Sequence, residues 1–393
     1  MQRGNSQAPK GATVEDLARC PVTPGWLGPK ASSAMSTAFI LGAGFSSLSG
    51  LPIQSEFSAL LLAGEFSSDL DKVITKALGT FLADVFGWRP GQTIPALEDV
   101  FTCIDLAANA GHLGIKYTPK KLRALRRMAI YRIFSVLDRK FSHSPVISAL
   151  LDQSLEGADI RGFIVLNWDI VLEKHLTQRS STAQIDYCCD AMDWNRVGHT
   201  DGPCSPGIAV CKMHGSSNWA YCQNCTGLYF DLNEKLSLHR KVGLIKADFR
   251  LFDEGLTDRA FDEALGISSK ERACPRCKHM VSSHIATFSY RKSFQTHAYA
   301  SIWHRAGDIL GDSTHWVFIG YSLPKADFEL KSLMKTAQLR YRHLSTQPPR
   351  RIDVVAKSDM AREDYERFFG RDQFSFFNGG LEQYVRTHAL VRA

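Results

Sequence analysis

The chain has 393 residues, 44% hydrophobic and 22% charged, with a formal net charge of +7. That is an ordinary globular composition, able to bury a sizeable core, and the charge is too weak to argue for nucleic acid by itself. No apolar run approaches the ~20 residues that span a bilayer, and no apolar segment follows the N-terminal basic residues, so the expectation is a cytoplasmic protein with no membrane partner.

In chain order, residues 1–36 are rich in Gly, Pro, Ser and Ala, lack periodicity and read as a disordered leader, with Met35 an alternative start. From Thr37 the character changes, and Ala38-Phe39-Ile40-Leu41 reads as a buried strand entering the turn Gly42-Ala43-Gly44. Ile53, Phe57, Leu60 and Leu61 then share one helical face, and Leu70, Val73, Ile74, Ala77, Leu78, Phe81, Leu82 and Val85 share another. A loop at Pro90-Gly91 leads to a helix around Leu97–Ala107 and a basic helix over about Lys120–Arg139, with Leu122, Leu125, Ile130, Ile133, Phe134 and Leu137 inward. Residues 53–150 are thus a largely helical block. Short apolar runs at Gly162–Leu166, Ile208–Met213, Trp316–Gly320 and Ile352–Ala356 have the character of strands in a fully covered parallel sheet. Strands alternating with helices predict an α/β fold with a doubly wound, Rossmann-type sheet. The aromatic segment Tyr365–Tyr384 reads as core, with an assembly surface as the alternative.

Four strand ends carry polar or glycine-rich residues. In Gly42-Ala43-Gly44-Phe45-Ser46 a glycine pair would let backbone approach a phosphate, and a helix N-terminus would follow; a plain strand-to-helix turn explains the same residues. Asn167-Trp168-Asp169 follows the second strand, where ligands of doubly wound sheets sit, although Asp169 could equally cap the next helix. His214, in Lys212-Met213-His214-Gly215-Ser216, could serve as a general base, although a lone histidine is more often structural. Gly320-Tyr321-Ser322-Leu323-Pro324 is a fourth strand-end turn that could hold a ribose or phosphate, or nothing.

Of the ten cysteines, Cys222-x-x-Cys225 and Cys274-x-x-Cys277 form two knuckle-like pairs, a closed four-thiolate set suited to structural Zn²⁺, with disulfides as the lesser alternative. The long stretch between the pairs must hold an insertion. Cys20, Cys103, Cys188, Cys189, Cys204 and Cys211 show no ligand spacing and read as free thiols. The arginines of the basic helix (Arg123, Arg126, Arg127, Arg132 and Arg139) read as a solvated face, with a nucleic-acid or partner surface as the alternative.

Taken together, the order G-A-G-x-S, N-x-D, K-x-H-G, paired cysteines and G-Y-S over roughly residues 37–360 resembles the sirtuin superfamily, in particular its divergent bacterial members, many of which act in anti-phage defence. The resemblance implies a Rossmann-type domain over 37–221 and 281–393, with the helical insertion at about 53–150, and a zinc module over 222–280. NAD⁺ would bind between them. Gly42, Ala43, Gly44 and Ser46 would match the phosphate-binding turn, Asn167 and Asp169 the pair at the nicotinamide ribose and nicotinamide, and His214 the catalytic histidine. Gly320 and Ser322 would lie under the adenosine half, and Ser358 near the adenine.

Several departures bear on the activity. Deacylating sirtuins follow Gly-x-Pro with Asp-Phe-Arg, where this chain has Ile53-Gln54-Ser55 after Pro52. They place glutamine before the asparagine, where this chain has Leu166, and their substrate-pairing segment Val-x-Phe-Gly-Glu is replaced by Ile285–Lys292. The parts that would cleave the glycosidic bond remain and those that would present an acyl-lysine do not. The expectation is an NAD⁺ glycohydrolase with NAD⁺ as substrate, Zn²⁺ as structural ion, and control through a homo-oligomer or an ATPase-type protein partner. A protein-lysine deacylase and a non-catalytic NAD⁺ or ADP-ribose scaffold are the alternatives.

Overall fold

The computed structural model describes residues 35–62, 68–157, 159–180, 184–197, 207–232, 244–265, 273–285, 297–324, 327–343 and 350–390. Residues 1–34 of the expected leader, Cys20, Cys204 and nearly all of the 285–292 segment lie outside them. Met35–Ala393 cluster as one compact unit.

In chain order the strands are β1 (Ser36–Leu41), β2 (Asp159–Val165), β3 (Ile185–Asp186), β4 (Ala191–Asp193), β5 (Ile208–Lys212), β6 (Gly215–Tyr221), β7 (Leu228–Phe230), β8 (Ser282–Ile285), β9 (His315–Ile319), β10 (Arg351–Val355) and β11 (Ser375–Phe377). The first therefore begins inside the expected leader, at Ser36. A seven-stranded parallel sheet runs β11-β10-β9-β1-β2-β5-β3. Every residue of β1 and β9 is buried, as central parallel strands covered on both faces require. From β1 the order runs through β9, β10 and β11 on one side and through β2 and β5 on the other, with short β3 at the edge beyond β5. Right-handed crossovers then place helices on opposite faces, which makes the sheet doubly wound, α/β and Rossmann-like.

The helices are α1 (Ala43–Ser46), α2 (Gln54–Leu60), α3 (Asp69–Phe86), α4 (Leu97–Ala110), α5 (Pro119–Lys140), α6 (Pro145–Gly157), α7 (Val171–Arg179), α8 (Lys246–Phe249), α9 (Asp258–Leu265), α10 (His297–Asp312), α11 (Phe328–His343), α12 (Asp359–Phe369) and α13 (Gly380–Leu390). Local chemistry sets the ends of the inserted ones. Ser68 accepts from the Asp71 N–H to start α3, and left-handed Gly87 ends it. Thr118 accepts from the Lys121 N–H to start α5, with Pro119 at its first position. Among the described residues no helix is long and apolar enough to cross a membrane.

The basic helix α5 uses much of its charge inside the fold. Arg132 is fully buried and donates to the Asp71 carbonyl and the Thr75 hydroxyl; Arg126 pairs with Asp105 and Arg127 with Asp248. Of the arginines expected on a solvated face, three thus meet partners brought from other elements, which weakens any basic stripe for a nucleic-acid backbone. The C-terminal aromatics are core: Tyr365, Phe369 and Tyr384 are buried, and Phe368, Phe374, Phe376 and Phe377 pack against the same cluster.

A second sheet, β4-β7-β6-β8, grows out of the first, since β6 begins three residues after β5 ends. Of its four strands β7 lies within 222–280, and β4, β6 and β8 lie outside that range. Its strands are short or polar, such as Ser-Ser-His-Ile, and carry no apolar signature.

Buried Asp353 ties β10 to its neighbours. It accepts from His315 Nε2 at 3.0 Å, from Arg351 at 2.8 and 3.0 Å and from the Tyr384 hydroxyl at 3.4 Å. Burial pushes this carboxyl up, but the bonds from His315 and Arg351 outweigh it and hold it below the usual value. A depressed folded-state pKa stabilises above the unfolded value of about 3.9 and is lost as pH falls through the folded one. Unfolding free energy measured against pH should therefore fall more steeply below about pH 4 in wild type than in Asp353→Asn, with the Asn variant less stable at neutral pH.

Candidate functional site

Sheet register decides which residues can meet. Val355, Ile319, Leu41, Val165 and Lys212 are paired across five adjacent strands in one row. The ladder continues past the strand ends: Gly320 N–H donates to Val355, Gly42 to Ile319, Leu166 to Leu41 and Met213 to Val165. Two steps beyond the row, Ala43, Asn167 and His214 therefore stand at the carboxyl edge at one level, where the strand order reverses between β1 and β9. Open α/β sheets bind ligands at such a switch point.

Three of the residues singled out from sequence are joined here. Asn167 Nδ2 donates to Ser46 Oγ at 2.8 Å. His214 Nδ1 lies 3.1 Å from the carbonyl of Leu166, the residue before Asn167. A carbonyl only accepts, so the ring carries a proton on Nδ1; in the neutral ring this places the lone pair on Nε2, the tautomer of a general base. Ser46 is buried, while Asn167 and His214 are half-buried. The intervening loop is anchored by Trp168, buried with its ring edge-on to Phe134 of α5 at 6.5 Å.

The glycines bring two strand-end turns into direct contact. The Gly42 and Gly44 amides donate to Ile319 and Gly320 carbonyls at 3.0 and 2.8 Å, so these donors serve the protein. A side chain at Gly42 would lie 2.5 Å from the Gly320 oxygen, and one at Gly320, held at φ +61, 2.2 Å from the Phe45 nitrogen. What approaches the glycine turn closely is the other strand-end turn. Asp169 Oδ1 accepts from the Val171 N–H at 3.0 Å in the turn that leads into α7, whose N-cap is Ile170, and Ser358 caps α12 by accepting from the Ala361 N–H at 3.4 Å. Ser358 stands beyond β10, separated from β1 by β9. Ser322 is exposed on the β9 turn, whose shape is fixed by Tyr321 OH donating to Asp327 and by Tyr365 OH donating to the Tyr321 carbonyl.

Beneath the site lies a buried polar chain not singled out from sequence. Lys212 reaches the Asp169 carbonyl and lies 3.3 Å from Glu173. Tyr187 OH donates to Glu173, Asn218 donates to Tyr187 OH and to the Asp231 carbonyl, and Asn195 donates to the Asp231 carboxylate. Burial pushes the Glu173 carboxyl up against the pull of Lys212.

The four paired cysteines converge, with all sulfurs within 4.8 Å of one another. Cys222 and Cys277 sulfurs are 3.4 Å apart and Cys225 and Cys274 3.6 Å, with no disulfide. Four thiolates at about 2.3 Å from Zn²⁺ would stand roughly 3.8 Å from one another, so the donor set fits a closed tetrahedral ion. The two knuckles are alike: Cys222 N–H donates to Gly227 and Cys274 N–H to His279, and left-handed Thr226 and Lys278 follow the second cysteines. The His279 backbone holds the Cys277 thiol down to about 5, whereas burial pushes Cys222 up to about 12. Tyr229 OH supports Cys274 at 3.2 Å.

No protein-family model and no curated protein matches the chain. Among solved structures it is similar to a Sir2–p53 peptide–NAD⁺ complex (13% identity, TM-score 0.41, covering 92% of this chain and 94% of that one). It is also similar to Sir2 with the inhibitor EX-527, 2′-O-acetyl-ADP-ribose and deacetylated p53 peptide (12%, 0.40, 92% and 95%). A third is a structure described as a basis for the mechanism and regulation of Sir2 enzymes (15%, 0.40, 92% and 94%).

Two outcomes follow from this geometry. Gly320→Ala should lower the unfolding free energy by about 3 kcal/mol or more, read from the denaturant midpoint, whereas Gly79→Ala, in open space on α3, should gain up to about 1 kcal/mol. Purified protein should carry about one zinc per chain by elemental analysis, and Cys274→Ser should lose the metal and unfold at a lower temperature.

Proposed function

We propose that the protein hydrolyses NAD⁺ at the bond between nicotinamide and ribose, releasing nicotinamide and ADP-ribose. The observation that carries the reading is the meeting of Ser46, Asn167 and His214 at the switch point, with Asn167 on Ser46 and the His214 ring fixed as the Nδ1–H tautomer. The order of motifs resembling sirtuins supplies the substrate class, and the loss of the residues that would present an acyl-lysine supplies the preference for water over a peptide.

In this reading the C1′–N bond lengthens, its electron pair goes to the nicotinamide nitrogen, and positive charge develops on the ribose. The Asn167 amide orients the leaving group or the incoming water. As the water oxygen bonds to C1′, His214 Nε2 takes its proton. Asp169 contributes by accepting the Val171 N–H and so shaping the loop that leads into α7. The cysteine quartet would hold Zn²⁺ with no open coordination position, so it supplies stability and no step of the reaction. The same reading includes a regulated effector of bacterial anti-phage defence, governed by a homo-oligomer or an ATPase-type partner; this part rests on the sequence resemblance alone.

The test is nicotinamide release from NAD⁺ by purified protein, with and without an acyl-lysine peptide. Wild type should release nicotinamide without peptide, and Asn167→Ala and His214→Ala should each be slower by about 100-fold or more. Release that requires the peptide would instead establish a deacylase, and tight NAD⁺ binding with no release, unchanged by His214→Ala, a scaffold.

A further inference from the structure

Lys212 ends β5 with its side chain fully buried, and its ammonium donates to the Asp169 carbonyl. Two residues on, the His214 ring is bonded to the Leu166 carbonyl, and three residues further the Ser217 N–H donates to the Trp168 carbonyl at 2.6 Å. The segment 212–217 thus grips three carbonyls of the loop that carries Asn167, one before it and two after. Of the three donors, only Lys212 is a formal cation. Its counter-ion Glu173 is as deeply buried, and is linked through Tyr187 and Asn218 to the small sheet.

Burying such a pair is costly. An apolar pair of similar volume is often as stable or more so, so stability alone gives no reason for an ammonium here. A charged donor holds a carbonyl about twice as strongly as a neutral one and fixes its direction. We infer that Lys212 is a positioning residue: its ammonium, held by Glu173, pins the Asp169 carbonyl and so sets the placement of the Asn167 amide relative to His214 Nε2. Its consequence for turnover rests on the glycohydrolase reading; its consequence for the His214 ring does not.

The experiment compares wild type with Lys212→Met/Glu173→Leu, which removes both charges and leaves no orphan carboxylate. Two readouts are taken on the full chain: the His214 tautomer from ring ¹⁵N shifts, which needs no substrate, and nicotinamide release. The expected result is a double variant that melts at or above the wild-type temperature, loses the pure Nδ1–H tautomer, and drops kcat about 30-fold while KM moves less than about threefold. Lys212→Arg, which keeps a cationic donor, should restore the tautomer and most of kcat. A folded double variant with unchanged tautomer and kcat within about twofold overturns the inference. So does a melting temperature lowered by more than about 10 °C, which would make the pair a stability element. If wild type releases no nicotinamide, the glycohydrolase reading fails and the tautomer alone decides: a shift sustains the positioning role, and no shift overturns it.

Discussion

The architecture turns on a contact between two backbone turns with no side chain between them. Gly44 N–H meets the Gly320 carbonyl at 2.8 Å, and neither glycine nor Gly42 has room for a Cβ. This contact closes the centre of the sheet at the point where strand order reverses, and it fixes the depth at which the β1 and β9 ends stand. With the Gly42 and Gly44 amides bonded to carbonyls, these two residues shape the floor on which Ser46 on α1, Asn167 beyond β2 and His214 beyond β5 stand.

Register carries the order outward. A parallel ladder has evenly spaced bonds, so a residue a fixed number of steps past one strand end lies level with its counterparts on the neighbours. That is why residues as far apart as Ala43, Asn167 and His214 arrive together without any sequence-local signal between them. The clasp of 212–217 on the 166–169 loop then converts this levelling into fixed directions for a ring and an amide.

Five strands of the large sheet were legible because fully covered parallel strands must be short apolar runs, and Phe39-Ile40-Leu41 or Val317-Phe318-Ile319 can be little else; the short edge strands β3 and β11 were not. The small sheet was not, because β6 and β8 are rich in serine and owe their pairing to the knuckles beside them. The site was partly legible. Strand-end polar residues drew notice to Ser46, Asn167 and His214, but the same residue types also bond the first amides of helices, as Asp169 and Ser358 do here. The buried roles of Lys212, Glu173 and Arg132 were not legible, because charged residues read as solvated unless a partner is seen, and their partners lie on other elements.

The stretch between the cysteine pairs gives the knuckles a reach beyond their own sheet. Its helices α8 and α9 contact α3 and α5 of the first helical block: Asp248 pairs with Arg127, Phe249 is fully buried, and the Phe249 and Phe261 rings meet at 5.4 Å. A long segment whose two ends are held together has already lost much of the entropy its docking would otherwise remove, and a closed four-thiolate site holds both ends at once. A structural ion there would therefore stabilise more than the small sheet that carries it, because the chain it closes runs across to helices inserted between β1 and β2. Two insertions remote in sequence thus share one interface, next to the loop that Trp168 anchors on α5.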